Sequence, residues 1–232
     1  MVNSAALLCL QQFADSALPI GGAAHSLGLE SLVDSGFIYP DNLESFLIDY
    51  LEEAGTLEAA YCASSCELAR GAAVEDVIAQ WLAWNAHLGA RKLARESRDA
   101  SAAMGRRFLT LAAGVANIML LRTTIRRAEQ AGAQMHLALC FGLTAGAMSL
   151  DPATASAAYL QQSVTTLISC CQRLLPLGQT RAHQILWNLK PAILNASHRA
   201  VSTPIEQIGS FTPMLDIASA RHPGLHTRLF MS

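Results

Sequence analysis

The sequence predicts an all-α fold: one helical bundle of roughly eight to ten helices, closed by a flexible C-terminal tail. Three observations predict it. Apolar residues recur at helical spacing along most of the chain, no stretch shows the sustained alternation of a half-buried strand, and helix start and stop signals bracket the apolar runs. A chain of 232 residues suits a single domain over 1–232, able to bury roughly 70–75% of its unfolded surface. With 52% apolar and 15% charged residues it is far from a disordered composition.

The elements follow in order. Asp15-Ser16-Ala17-Leu18-Pro19-Ile20-Gly21-Gly22 puts Pro and a double Gly ahead of a helix, so 18–24 reads as a loop. Asp41 and Glu44 have capping-box spacing, and Leu43, Phe46, Leu47, Tyr50 and Leu51 line one face behind them. Gly55 is expected to stop that helix and Thr56 to cap the next, which runs to about Arg70. In Met135–Leu150, Ala138, Gly142, Ala145 and Gly146 share one side, which predicts close helix–helix approach. Asp151-Pro152 is an N-cap with Pro at the first helical position. Leu160, Val164, Leu167, Ile168, Cys171, Leu174 and Leu175 form the clearest stripe, ended by Pro176 and Gly178. A further helix from about Thr180 is kinked or split by Pro191, since an interior Pro costs roughly 3 kcal/mol. Residues 203–232 are expected to be loosely ordered, with at most a short helix around Leu215–Ala220.

Several function classes fall away. The apolar runs Leu109–Leu121 and Met135–Leu150 fall short of the roughly 20 residues needed to span a bilayer, and no basic region precedes the apolar start as in a signal peptide. A cytoplasmic location is expected. Six cysteines in helical apolar contexts read as reduced and buried. The bases are scattered and aromatics make up 6%, which disfavours nucleic acid. Residues 1–69 hold ten acids and no Lys or Arg, whereas 70–232 hold all 16 bases and eight acids. Either the halves pack and neutralise each other or one face recruits a charged partner.

No catalytic constellation emerges. His25 and Ser26 are neighbours about 100° apart on a helix rather than a relay, and no nucleophile elbow, Walker or Rossmann pattern occurs. No cofactor is expected. Cys62 with Cys66, and His222 with His226, are each spaced to share a soft ion, but each pair supplies two of the four ligands of a closed site. The densest charge run is Arg91, Lys92, Arg95, Glu96, Arg98 and Asp99, with Lys92–Glu96 and Arg95–Asp99 at i, i+4.

Five segments in order resemble the urease accessory protein UreF family. They are D-S-x-L-P-I-G-G-x-x-H-S-x-G-L-E at Asp15–Glu30, the R-E-S-R-x-x-S-x-x-x-G-R-R run from Arg95 to Arg107, and His136 with Phe141-Gly142. Pro176-Leu177-Gly178-Gln179 and Arg228-Leu229-Phe230 complete the set. The likeness runs over nearly the whole chain.

The resemblance implies a non-enzymatic, dimerising scaffold for nickel insertion that binds UreD (also called UreH) and the GTPase UreG and serves apo-urease. It places UreD/UreH contacts at His222, Leu225, Arg228, Leu229, Phe230, Met231 and Ser232, with the tail ordering and burying Leu229 and Phe230 on docking. It places UreG or dimer contacts at Pro19, Gly21, Gly22, His25, Ser26, Gly28, Glu30, Arg95, Glu96 and Arg98. The alternative is a metallochaperone binding nickel directly through the tail histidines or the cysteine pair. The chain departs from the family pattern at Ala23, where an aromatic is common, at His226, where Tyr is frequent, and at Pro223-Gly224.

Overall fold

The computed structural model describes residues 4–71 and 73–231. Among these, twelve α-helices and no strand are present: α1 (Ser4–Phe13), α2 (Leu29–Asp34), α3 (Leu43–Tyr50), α4 (Thr56–Gly71), α5 (Val74–Arg91), α6 (Arg95–Ala116), α7 (Met119–Gln130), α8 (Leu137–Ala147), α9 (Pro152–Leu174), α10 (Gln179–Asn188), α11 (Lys190–Ser202) and α12 (Pro213–Arg221). The surplus over eight to ten comes from short elements such as the six-residue α2, too brief to display a period.

Helix α8 is the axis of the bundle. Every residue from Ala138 to Gly146 is buried, as expected of a helix apolar on all sides. Its glycines explain the close packing against α4. A Cβ on Gly142 would stand 2.0 Å from the carbonyl oxygen of Cys62, and one on Gly146 2.1 Å from that of Cys66. The expected small-residue face is therefore a backbone-to-backbone contact. An aromatic run links α1, α6, α8 and α9: Phe13 meets Phe108 edge-on at 5.9 Å, Phe108 stacks on Phe141 at 5.4 Å, and Phe141 meets Tyr159 at 5.7 Å.

The start of α9 follows its sequence signal. Thr154 N–H donates to Asp151 Oδ1 at 2.8 Å, and Pro152 occupies the first turn. The chain also breaks at Leu189, between α10 and α11, where Pro191 was expected to split a helix. The Leu109–Leu121 run is interrupted at Asn117, which turns left-handed at φ 53° between α6 and α7. No helix among the described residues is long and apolar enough to cross a membrane.

Three local expectations are corrected. The Asp41/Glu44 capping box does not form. Asn42 precedes α3 instead, its side chain accepting from Tyr39 N–H and donating to Phe37 O, while Glu44 is drawn to Asn188 and Arg181 of α10. Gly55 does not stop a helix either. A π turn over Leu51–Gly55 carries α3 directly into α4, and Thr56 Oγ1 donates back to Leu51 O at 2.9 Å rather than capping. Finally, Lys92 does not pair with Glu96, because α5 ends at Arg91 and Lys92 turns inward to Glu58. The last contact and Arg181–Glu44 join the acidic first third to the basic remainder, as neutralisation between the halves requires.

Candidate docking site at the N-terminal loop and C-terminal segment

The segment expected to be a loose tail is folded against the Gly-rich loop. Its first anchor is steric. Gly28 has φ +94°, and a Cβ there would lie 3.1 Å from Leu215 O and Ser219 N of α12. Only glycine combines that left-handed turn with so close a backbone neighbour. Helix α12 thus rests on the start of α2, and Ser219 Oγ lies 2.6 Å from Ser97 Oγ of α6.

The second anchor is polar. After α12 the chain makes a 3₁₀ turn over His222–Gly224 and returns across the loop. His222 is fully buried, with Nε2 2.8 Å from Glu30 Oε2 and Nδ1 2.8 Å from Glu96 Oε2. Glu30 also accepts the N–H groups of Leu229, at 2.7 Å, and Phe230, at 3.2 Å. Burial by itself would raise the Glu30 carboxyl, but these amides and His222 outweigh it and hold it below the usual carboxylate range. Arg228 reaches Glu96 at 3.9 Å.

The extended end then alternates. Phe230 points inward and is 4% exposed, while Leu229 and Met231 point outward at 55% and 70%. Arg173 of α9 lies 4.3 Å over the Phe230 ring and donates to Ala23 O at 2.8 Å; Met231 N–H donates to Ala24 O. Arg107 Nη1 donates to Ile20 O at 3.3 Å beneath the left-handed Gly21. One side of the loop is therefore held by two arginines of the body and the other by the returning chain.

The structure brings together Gly28, Glu30, Glu96, His222, Arg228, Leu229, Phe230 and Met231. His25 and Ser26 lie buried in the same loop, and burial followed by Arg107 lowers the His25 imidazole. Pro19 is exposed and Gly21, Gly22 and Leu225 are half-buried. Arg95 is apart from the cluster, exposed and paired with Asp99 at 3.4 Å, and Arg98 turns to Lys92 O. Ser232 lies outside the described residues. Phe230 is already covered within the chain, which corrects the expectation that it awaits a partner for burial; Leu229 does remain outward. Arg173 was missed, and nothing local in the sequence marks it: it is a solitary base on a long helix. The sequence marks Arg107 only as the end of the Arg95–Arg107 run, with no contact to the loop assigned to it.

Under the loop sits a second polar cluster that the sequence concealed. Glu58 of α4 pairs with Lys92 and accepts from Tyr159 Oη at 2.7 Å. Burial pushes Glu58 up, yet Lys92 and Tyr159 hold it below the usual range. Beside it lie a chamber of about 70 Å³, bounded by Gly22, Tyr50 and Gln162, and a cavity of about 150 Å³ reaching Asp216.

The metal-ligand alternatives find no support in the geometry. Cys62 and Cys66 are fully buried. Burial pushes the Cys62 thiol far up and the Cys66 thiol up to about 12, and Cys66 Sγ donates to Leu150 O. Neutral thiols of this kind are poor ligands. Both His222 nitrogens are engaged by carboxylates, and no group of three or more His, Cys, Asp or Glu residues is arranged to hold a metal among the described residues.

Comparison with known proteins agrees over the full length. The sequence profile of the UreF family matches residues 39–190. The chain is 34% identical over 228 residues to the urease accessory protein UreF of Paenarthrobacter aurescens, covering 97% of each. It is 32% identical over 230 residues to that of Nostoc sp., covering 97% of this chain and 95% of the relative. It is 30% identical over 224 residues to that of Actinobacillus pleuropneumoniae, covering 96% and 97%. The loop and the C-terminal segment lie outside the profile match. A profile match over more than half the chain, together with near full-length relatives, places this chain in the UreF family of urease accessory proteins, which serve urease maturation without being enzymes.

Proposed function

We propose that this protein is a scaffold that links UreD/UreH to the GTPase UreG so that nickel, as cargo, is inserted into apo-urease. The observation that carries the reading is the C-terminal segment. Glu30 fixes its backbone while Leu229, Met231 and the half-exposed Arg228 face outward. An apolar pair beside a base, presented on a pinned extended chain, suits recognition by another protein, because little ordering entropy remains to oppose docking. UreD/UreH is the partner assigned to this surface, and the loop Pro19–Glu30 with Glu96 borders it as the surface for UreG or a second copy. Arg95 and Arg98 lie outside that border.

A homodimer located in the cytoplasm is the expected working form, and 1–232 is expected to act as one unit. Between α9 and α11 an apolar groove of about 680 Å³, lined by Leu10, Ala157, Ile193, Leu194 and Val201, offers such a dimer a face. Co-expression of the tagged chain with UreD/UreH and UreG, read by light scattering, tests the scaffold. A stable ternary complex is expected, and deletion of Arg228–Ser232 should abolish recovery of UreD/UreH while leaving helix content unchanged. Undiminished recovery after the deletion would overturn the assignment of this surface.

A further inference from the structure

Three consecutive carbonyls of the loop are shared between α9 and the returning chain. Arg173 donates to Ala23 O at 2.8 Å, Met231 N–H to Ala24 O at 2.8 Å, and Cys170 Sγ to His25 O at 3.3 Å. Cys170 and Arg173 stand at i and i+3, so one face of α9 grips the loop on both sides of the carbonyl that the C-terminal segment takes. Arg173 lies in the last turn of α9, where the helix carbonyls favour a base. Its guanidinium also lies 4.3 Å over the Phe230 ring. A planar guanidinium stacks with its face and donates N–H groups from its edge at the same time, which the point charge of a lysine does not do. One side chain therefore touches both the loop and the segment.

We propose that Arg173 is the positioning residue of this docking surface: stacked on Phe230 while holding Ala23 O, it keeps the ring inward and Leu229 and Met231 outward, and it ties the order of the segment to the order of the loop. What the surface receives rests on the scaffold reading; the positioning itself rests on contacts within the chain.

The alternation of an extended chain makes the direction of one ring decisive. Successive side chains point to opposite sides, so the inward Phe230 fixes the outward Leu229 and Met231. Glu30 accepts the N–H groups of Leu229 and Phe230 and so holds the backbone; the stack on Arg173 is the contact that holds the ring. Arg107 serves the start of the loop, at Ile20 O. Arg173 is itself exposed, so it can be replaced without opening the core. Because the same guanidinium serves both parts, loosening the segment weakens the hold on the loop and the reverse holds equally.

Hydrogen exchange of the full chain at a single pH tests this, with amides of α8 as the internal reference. Arg173→Met keeps the apolar stem and removes the planar fork. Protection of the Phe230 and Met231 amides, and of the loop amides of Ala24 and His25, is expected to fall together by roughly tenfold, while α8 keeps its protection. Arg173→Lys should recover no more than part of it, because an ammonium cannot stack and reach the carbonyl at once. Phe230→Leu should loosen the Ala24 and His25 amides in the unsubstituted chain. In Arg173→Met the same change should have at most about a third of that effect, the mark of coupling through this side chain. Unchanged protection in Arg173→Met, a loss confined to one of the two parts, full recovery in Arg173→Lys, or equal effects of Phe230→Leu in both backgrounds would each overturn the proposal. Recovery of co-expressed UreD/UreH reads the scaffold separately: if protection falls as expected while recovery by Arg173→Met is undiminished, the positioning stands and the partner assigned to this surface does not.

Discussion

The α4–α8 contact and the closure of the C-terminal segment over the loop are both long-range, and they are built on opposite principles. The first is held by shape: Gly142 and Gly146 admit the Cys62 and Cys66 carbonyls of the facing helix, and stability is spread over a continuous apolar core. The second is held by a few polar groups, with Glu30 alone accepting two amides and one imidazole nitrogen. Distributed packing has no single control point and resists every small change in conditions. A junction gathered on one carboxylate is set by charge, so it can be loosened without disturbing the core.

Substitutions can break this contrast. Gly142→Val places a branched side chain where even a Cβ would be 2.0 Å from Cys62 O. The two helices must separate, at a cost of more than about 3 kcal/mol, which exceeds ordinary overpacking because the obstacle is backbone. Calorimetry should show the melting temperature falling by more than about 6 °C. Lys92→Met removes the partner of a buried carboxylate; Tyr159 still donates to Glu58, so a loss of about 3 kcal/mol is expected in urea denaturation at neutral pH. Because Glu58 is held low, that loss should shrink as the pH falls and the carboxyl protonates. An unchanged loss at acid pH would mean that Lys92 matters through packing alone.

The loop permits a finer test. Gly28→Ala combines a left-handed backbone with a 3.1 Å approach to α12 and should cost about 1–2 kcal/mol. It should also expose the C-terminal segment to limited proteolysis. Gly22→Ala should change the melting temperature by less than about 2 °C: it has no positive φ, and its Cβ would meet Thr166 and Met104 at the ordinary contact distances of 3.8 and 3.9 Å. Equal effects at the two positions would show that the loop is not held by α12.

Much of the core was legible. The Asp151-Pro152 start, the α9 stripe, the break near Pro191 and the small-residue face of α8 depend on neighbours within a turn or two, where period and capping speak directly. The capping box at Asp41 failed because Glu44 found partners 137 and 144 residues away, in Arg181 and Asn188. The helix stop at Gly55 failed because a π turn absorbs the irregularity without ending the helix. The docking site was legible only as two motifs at opposite ends of the chain. Of the two arginines that hold the loop, Arg173 carries no local mark, and Arg107 is marked only as the end of the Arg95–Arg107 run.

By itself the sequence determined the all-α architecture, the absence of a catalytic constellation and, through its ordered motifs, the family. These rest on short-range periodicity and on residue identities, which a linear chain displays. Tertiary structure alone decided that Phe230 is covered, that His222 lies between two carboxylates, and that Lys92 faces Glu58. Each depends on which distant group fills a given space, because burial and charge balance belong to the three-dimensional neighbourhood and not to the residue.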